Sequence, residues 1–433
     1  MRYGLLLNGN GAQADFQLGA WQALNESNLH LDWVASSSIG GIAAALIAQK
    51  DLHQISQFLS DAVLEKITAL NDSIAGLYLQ YWSDLNFHDF RLQFLQTFVQ
   101  KAMPLRRTLS RYLDEAIIRR SSCRLMLTTI DPQSLSIVKR TIEEIPNGQL
   151  IPTLLLGAVF PVFRTQRDQD ATYFEAGFLS ELPLETAVLL PCKKLMAVGY
   201  SPVEVRRAVR KNQRDLSFLT IQSSEYLDLS APENAAANGQ DHQRHAKLGY
   251  LDTLKALGQL TGRKLYINPY GPHQFFDLVV AHIGFPPQPP LERQILMALL
   301  GIDKPYTSLE QVDILEKILA LMNRSSWRKS DNTILAMLEM TAWTIQVPKL
   351  KIYMPDQLIF EILDWAEQTL KINAPSASDV QEPNFFDCVR AIAVHPESLS
   401  VEQIDAFREQ AAPEMILSLI TFYYIQAIAL NFA

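Results

Sequence analysis

The chain has 433 residues, of which 48% are hydrophobic and 19% charged, an ordinary globular composition that is long enough for two domains. The net charge of −8 argues against nucleic acid as the main partner, because phosphate binding draws on clustered positive charge. The cysteines, Cys123, Cys192 and Cys388, are odd in number and far apart. They give neither a disulfide framework nor a zinc spacing, and they favour a reducing compartment.

Up to about residue 270, short apolar runs alternate with helical patterns. The predicted strands are Tyr3–Leu7, Trp33–Ser36, Arg124–Ile130, Ser136–Lys139, Thr172–Glu175 and Lys194–Gly199. Helical patterns follow several of them, as at Asp15–Asn25 and Gly41–Gln49, and residues 50–120 look mostly helical. Such alternation predicts an α/β sheet with helices on its faces.

After Tyr270 the chain changes character. The helix-breaking glycine and prolines of Gly284–Pro290 are followed only by helical patterns. These patterns cover Glu310–Met322, Thr333–Ile345 and Gln357–Leu370, with a predicted loop at Ile372–Pro383. We therefore predict an α/β domain over residues 1–272 and a helical domain over residues 273–433.

Export and membrane insertion have little support in the sequence. The first predicted strand begins at Tyr3, which leaves no room for a signal peptide before it. Residues 415–433 carry no charge, but six polar residues interrupt them and nothing basic flanks them. We read this segment as a buried C-terminal helix, with membrane insertion as the alternative. The expected location is the cytoplasm.

The stretch VASSSIGGIAA, Val34–Ala44, places three serines between an apolar run and a helical pattern. A strand that turns abruptly into a helix can present a nucleophilic serine, and small residues are favoured two positions before and after it. In that register Ser38 is the nucleophile, Gly40 is the second small residue and Ser36 replaces the first glycine. The alternative is a serine that only caps the helix.

A second glycine-rich turn, LLLNGNGAQAD, joins the first predicted strand to a helix that begins near Asp15. The turn Gly9-Asn10-Gly11 exposes backbone N–H groups that are able to bind a phosphate or an oxyanion. The dinucleotide-binding alternative requires a glycine where Ala14 stands. An alanine is sometimes accepted there, but no acidic residue ends a second strand at the expected place.

A third stretch, YFEAGFLSELP, completes a set of motifs. With it, roughly residues 1–265 resemble the patatin-like phospholipase family, whose members carry G-G-G-x-R-G, then G-x-S-x-G, then D-G-G or D-G-A followed by N-x-P. Further family-like stretches are Met103–Leu113, Gly157–Phe163 and Gly249–Gly258. The resemblance implies a three-layer α/β/α sandwich, here with an additional all-helical C-terminal domain.

The resemblance also implies a site. Ser38 falls on the nucleophile, and Glu175 falls on the aspartate of a Ser–Asp dyad. The oxyanion hole is implied at Gly9, Asn10 and Gly11. Support of the elbow and of the acid motif is implied at Ser36, Gly40 and Gly177. The implied activity is serine hydrolysis of lipid or carboxylic esters, without a metal or other cofactor.

Several motif residues depart from the family pattern. Gln13 stands where the family has arginine, Ala176 replaces a glycine, and Glu181 stands in place of asparagine. The alternative function is therefore a catalytically impaired patatin fold that acts as a binding or regulatory module.

Two further features bear on partners. The basic residues Arg206, Arg207, Arg210, Lys211 and Arg214 suit peripheral contact with a membrane surface, although a solvated helix face is the commoner use of such a run. His242 and His245 lie in a polar segment with no third ligand near, so no metal site is expected.

Overall fold

A computed structural model describes the greater part of the chain. The described residues are 3–9, 13–61, 63, 96, 100, 102–131, 137–159, 184, 190–212, 216–227, 238–271, 273–284, 290–303, 311–370, 383–394 and 398–432. The chain divides into two compact units, Met1–Leu257 and Gly258–Ala433. The boundary expected from sequence, between residues 272 and 273, falls inside the second unit.

The first unit is built on a six-stranded mixed sheet. Its strands are β1 (Tyr3–Leu7), β2 (Leu31–Ser37), β3 (Arg124–Ile130), β4 (Ile137–Thr141), β5 (Lys194–Val198) and β6 (Ser217–Ile221). They lie in the order β4-β3-β2-β1-β5-β6, and every neighbouring pair is parallel except β3 with β4. β1 therefore lies inside the sheet, and the carboxyl ends of β1, β2 and β5 share one edge.

Helices cover both faces of this sheet. They are α1 (Ala14–Glu26), α2 (Gly40–Gln49), α3 (Leu52–Ser60), α4 (Glu115–Arg120), α5 (Leu150–Val159), α6 (Pro202–Asn212) and α7 (Asn238–Ala256). On one face, α2 and α5 pack on β3. On the other, Val205 of α6 joins a core with Leu6, Met126 and other strand residues. The predicted three-layer α/β/α arrangement is confirmed.

Helices α1 and α7 pack backbone to backbone. A Cβ on Gly19 would lie 1.7 Å from the carbonyl oxygen of Ala246, and one on Gly249 would lie 2.0 Å from that of Phe16. Only glycine permits so close an approach. The two helices run in the same direction, because contacts near the start of α1 and at its end meet successive parts of α7.

Among its described residues, the second unit is helical apart from one short strand pairing and an isolated bridge between Thr261 and Ile267. In chain order it contains β7 (Tyr266–Ile267), α8 (Gln274–His282), α9 (Pro290–Leu300), α10 (Gln311–Arg324), α11 (Thr333–Thr344), β8 (Ile352–Tyr353), α12 (Pro355–Leu370), α13 (Phe385–Ala393), α14 (Val401–Gln410) and α15 (Pro413–Phe432). The parallel pairing of β7 with β8 links residues 258–271 to this unit.

The buried carboxylate of Glu339 also holds the segment before α8 in the second unit. It accepts hydrogen bonds from the backbone N–H groups of Arg263, Lys264 and Leu265, at 2.5–2.9 Å. The segment before α8 is thereby held against α11, although its sequence contains none of the helical pattern that marks the rest of the unit.

Helix α15 is the central helix of the second unit. It packs against six of the other helices, from α8 to α13, and most of its side chains are buried. Among the described residues, its Pro413–Leu430 window is the one stretch long and apolar enough to cross a membrane, with a mean hydropathy of 1.4. Of that window 67% is buried inside the protein, and the core helix of a soluble protein passes the same test.

Candidate active site

The turn between β2 and α2 carries the three serines. Ser36 and Ser37 are 1% and 0% exposed, whereas Ser38 is partly exposed. Ser38 also has a positive φ of 50°, which is uncommon for a residue other than glycine and typical of a strained strand-to-helix turn. Of the three serines, only Ser38 is not fully buried.

Close packing against the end of β1 forms this turn. A Cβ on Gly40 would lie 2.2 Å from the carbonyl oxygen of Asn8 and 2.5 Å from Ser36 Oγ, so glycine is required there. Ser36 takes the place of the other small residue without a clash, because its buried hydroxyl donates a hydrogen bond to the carbonyl of Leu7 at 3.1 Å. The serine therefore joins the two strands at the turn.

The positive end of a helix dipole faces Ser38. Helix α2 begins at Gly40, and the backbone N–H of Gly41 donates to the carbonyl of Ser38 at 3.0 Å. All ten residues of α2 are buried. Such a helix N-terminus stabilises negative charge that develops nearby, and burial reduces solvent screening of the effect.

The glycine-rich turn after β1 starts beside the same serine. A Cβ on Gly9 would lie 2.7 Å from Ser37 Oγ and 3.2 Å from Ser38 Cβ, so the backbone approaches the elbow as closely as glycine allows. Asn10 and Gly11, the other residues of the expected oxyanion hole, lie outside the described residues. The structure thus brings Gly9, Ser36, Ser38 and Gly40 together.

A network of three side-chain amides, of which Asn8 and Gln17 are buried, links the two sides of the glycine turn. Asn8 Nδ2 donates to Gln13 Oε1 at 2.6 Å and to the carbonyl of Gly199 at 2.7 Å. Gln17 Nε2 donates to the backbone carbonyl of Asn8 at 3.0 Å and to its Oδ1 at 2.9 Å. Gln13, which stands where the family has arginine, therefore closes the turn back onto Asn8.

A buried acid–histidine pair connects the first turn of α1 to α7. Asp15 and His242 are 1% and 2% exposed, and Asp15 Oδ2 lies 2.5 Å from His242 Nδ1. His245 is 6% exposed, and burial, the largest influence, lowers its pKa despite the opposing field of Asp15. These histidines are buried in a segment whose sequence is polar, because α7 turns that face against α1. No local sequence signal pairs two residues so far apart.

Other chemical groups are less suited to a site. Among the described residues no group of three acids, histidines or cysteines is placed to hold a metal ion. All three cysteines are buried and none of them forms a disulfide bond. Burial raises the pKa of Cys123 and Cys388 to about 12, which makes both thiols poor nucleophiles. Glu175 and Gly177 of the predicted acid motif lie outside the described residues.

Comparison with known proteins shows what the sequence around this site resembles. The family model described as patatin-like phospholipase matches residues 5–188, which span the elbow, the glycine turn and the acid motif. No curated protein matches the sequence. Similar solved structures include VipD from Legionella pneumophila, with a TM-score of 0.28, 12% identity, and coverage of 98% of this chain and 91% of that one. They also include the ExoU–SpcU complex of Pseudomonas aeruginosa, with a TM-score of 0.28, 13% identity, and coverage of 95% and 83%. On this match, residues 5–188 of the chain are similar to the patatin-like phospholipases.

Proposed function

We propose that the protein is a serine acyl hydrolase that cleaves lipid or carboxylic esters, with Ser38 as its nucleophile. The observation that carries the proposal is the β2–α2 turn. There a partly exposed serine with positive φ stands at a helix N-terminus, with the backbone of Gly9 packed against it. A serine that only caps a helix needs neither a positive φ nor a neighbouring glycine turn.

In the proposed reaction, Ser38 Oγ attacks the ester carbonyl carbon while its proton passes to the carboxylate of Glu175. Negative charge then forms on the carbonyl oxygen, where the N–H groups of the Gly9-Asn10-Gly11 turn and the dipole of α2 stabilise it. The C–O bond to the alcohol breaks, and the alcohol leaves with the proton. Water, deprotonated by Glu175, cleaves the acyl-enzyme and restores Ser38.

Glutamate in the aspartate position makes reduced turnover part of the proposal. The additional methylene moves the carboxylate by about 1 Å, and a misplacement of that size can cost about 100-fold in rate. An impaired protein that serves as a binding module is the second candidate, and the substitutions at Gln13, Glu175 and Ala176 favour it. The two candidates share the fold and differ in whether Ser38 reacts.

A lipid substrate also calls for access to a membrane surface, and the outer face of α6 suits it. Val203, Arg206, Arg207 and Arg210 follow helical spacing along one face, and all four are exposed, with Val203 at 57%. The helix begins four residues after β5, whose carboxyl end lies at the same sheet edge as Ser38. Arginines attract anionic headgroups by about 1 kcal/mol each near the surface.

The test is covalent labelling with a fluorophosphonate, followed by peptide mapping. We expect the label on Ser38, loss of the label in Ser38→Ala, and its retention in Ser37→Ala, where the hydroxyl is fully buried. Turnover of a short p-nitrophenyl ester and of a fluorogenic phospholipid should disappear in the same variant. Absence of label and turnover in folded wild-type protein would overturn the catalytic proposal and support the binding module.

A further inference from the structure

We propose that Asn8, Gln13 and Gln17 form an amide clamp that positions the glycine turn against Ser38. The inference rests on the proposed function, since it assigns a role in supporting the oxyanion hole. Asn8 directly precedes Gly9, while Gln13 and Gln17 lie in the first turns of the following chain. The clamp therefore joins both ends of the turn that carries the proposed oxyanion donors.

Two backbone carbonyls fix the direction of every hydrogen bond in the clamp. A carbonyl oxygen only accepts, so the Asn8 atom that contacts the Gly199 carbonyl is Nδ2, and the Gln17 atom that contacts the Asn8 carbonyl is Nε2. Asn8 Oδ1 must then accept from Gln17, and Gln13 must present Oε1 to Asn8 Nδ2. Each residue is thus assigned a definite donor or acceptor role.

Two of the three clamp residues are buried, and the clamp connects several elements of the site. Asn8 is 4% exposed and Gln17 is 0% exposed. The carbonyl oxygen of Asn8 also forms the surface against which Gly40 of the elbow packs. A shift of Asn8 would therefore move the glycine turn and the elbow relative to each other, and the reaction depends on that spacing.

The assigned donor and acceptor roles predict different effects for variants of the same size and shape. Asn8→Asp and Gln17→Glu keep size and shape but replace a donor nitrogen with an oxygen, which then faces acceptor oxygens. Gln13→Glu keeps the acceptor that Asn8 Nδ2 requires, whereas Gln13→Leu removes it. If these residues only filled space, all three isosteric changes would be equally mild. If they form the clamp, only Gln13→Glu should be mild.

The kinetic readout is the rate of Ser38 labelling by the fluorophosphonate together with kcat and KM for a p-nitrophenyl ester. We expect Asn8→Asp and Gln17→Glu to lower kcat by about 10- to 100-fold with little change in KM, because a displaced oxyanion donor weakens transition-state binding. Gln13→Glu should lose much less than Gln13→Leu. Tyr250→Phe, which removes the contact with Glu26 at the far end of α1, is the matched control.

A second readout does not require hydrolysis. Amide hydrogen exchange of a peptide covering residues 8–14 should become faster in Asn8→Asp and Gln17→Glu and stay unchanged in Tyr250→Phe. Unchanged exchange in both clamp variants would overturn the clamp, whatever the activity. Faster exchange without measurable turnover in wild type would support the clamp and refute the proposed hydrolysis. Faster exchange with unaltered kcat would show that the clamp only stabilises the fold.

Discussion

His242 on α7 and Asp15 on α1 form a buried contact of 2.5 Å between side chains that are each at most 2% exposed. Asp15 lies in the first turn of its helix, where the positive end of the dipole favours a carboxylate. The contact therefore fixes the start of α1, and with it the chain that leaves the glycine turn.

Loss of this pair should destabilise the first unit. We expect Asp15→Ala to lower the free energy of unfolding by about 3 kcal/mol, because it leaves a buried imidazole without its acidic partner. Urea unfolding followed by circular dichroism measures the change. In a double-mutant cycle with His242→Leu, the two losses should be clearly less than additive. Additive losses would contradict a direct pairing.

Protonation of the buried His245 should make the stability of the protein depend on pH. Burial lowers its pKa, so between the lowered value and about 6.5 the unfolded chain binds more protons than the folded chain. The contribution of neutral His245 to the free energy of unfolding is complete above about pH 6.5. It is lost as the pH falls through the pKa that His245 has in the folded chain. The charged neighbours that act on it are Asp15, Asp241, His242 and Arg244.

We expect melting temperatures of wild type to fall between pH 7 and pH 5 and those of His245→Leu to fall less. His53→Gln changes an exposed histidine and serves as the control. Parallel pH profiles for wild type and His245→Leu would show that other groups cause the decline.

The elbow should tolerate alanine at one glycine and not at its neighbour. Gly40→Ala would bring a Cβ to 2.2 Å from a backbone oxygen, whereas Gly41→Ala meets only the methyl groups of Leu127 and Leu154, at 3.3 and 3.4 Å. We expect Gly40→Ala to slow labelling of Ser38 at least about tenfold and to cost about 1–3 kcal/mol of stability. Similar labelling rates in both variants would show that the turn does not depend on this contact.

Glu175 provides the test of a weakened dyad. If the additional methylene limits turnover, Glu175→Asp with Ala176→Gly should raise ester hydrolysis, by up to about 100-fold. Glu175→Gln should nearly abolish it, because an amide is a far poorer proton acceptor. A decrease in Glu175→Asp, with Glu175→Gln inactive, would mean that the local backbone is adapted to glutamate.

The second unit should depend on Glu339. This 2%-exposed carboxylate accepts from three consecutive backbone N–H groups, so Glu339→Ala leaves several buried donors without partners. Each costs about 1–3 kcal/mol, and we expect a total loss of roughly 3 kcal/mol or more in urea unfolding. Glu361→Ala, at a largely exposed ion pair with Lys351, is the control and should change stability by under about 1 kcal/mol.

Regular periodicity allowed much of the fold to be predicted. Strands β1 and β3 have the predicted bounds, and helices α1, α2, α11 and α12 begin and end within two residues of their predicted limits. Strand β6 was missed, because its five residues form a short apolar run after a basic helix. Thr172–Glu175 and Ile372–Pro383 lie largely or wholly outside the described residues, so those predictions stay open.

The site was predicted less completely than the fold. The spacing of small residues indicated Ser38, Gly40 and Gly9, because local sterics dictate which residue types fit a tight turn. The amide clamp and the Asp15–His242 contact depend on helices that meet only in the folded chain. Gln17 and His242 carry no sequence feature that distinguishes them from surface residues, so spacing alone gave no reason to select them.

The position of β1 inside the sheet has a consequence for biosynthesis. Tyr3 pairs with Leu31 on one side but with Lys194 on the other, and Asn8 donates to the carbonyl of Gly199. A ribosome must therefore deliver the chain beyond residue 199 before the first strand is covered on both edges. Until then a very apolar strand presents an open edge, the kind of surface that chaperones shield from aggregation. Strand β1, which precedes both of its partners in the chain, is thus covered on both edges only after β5 has been made.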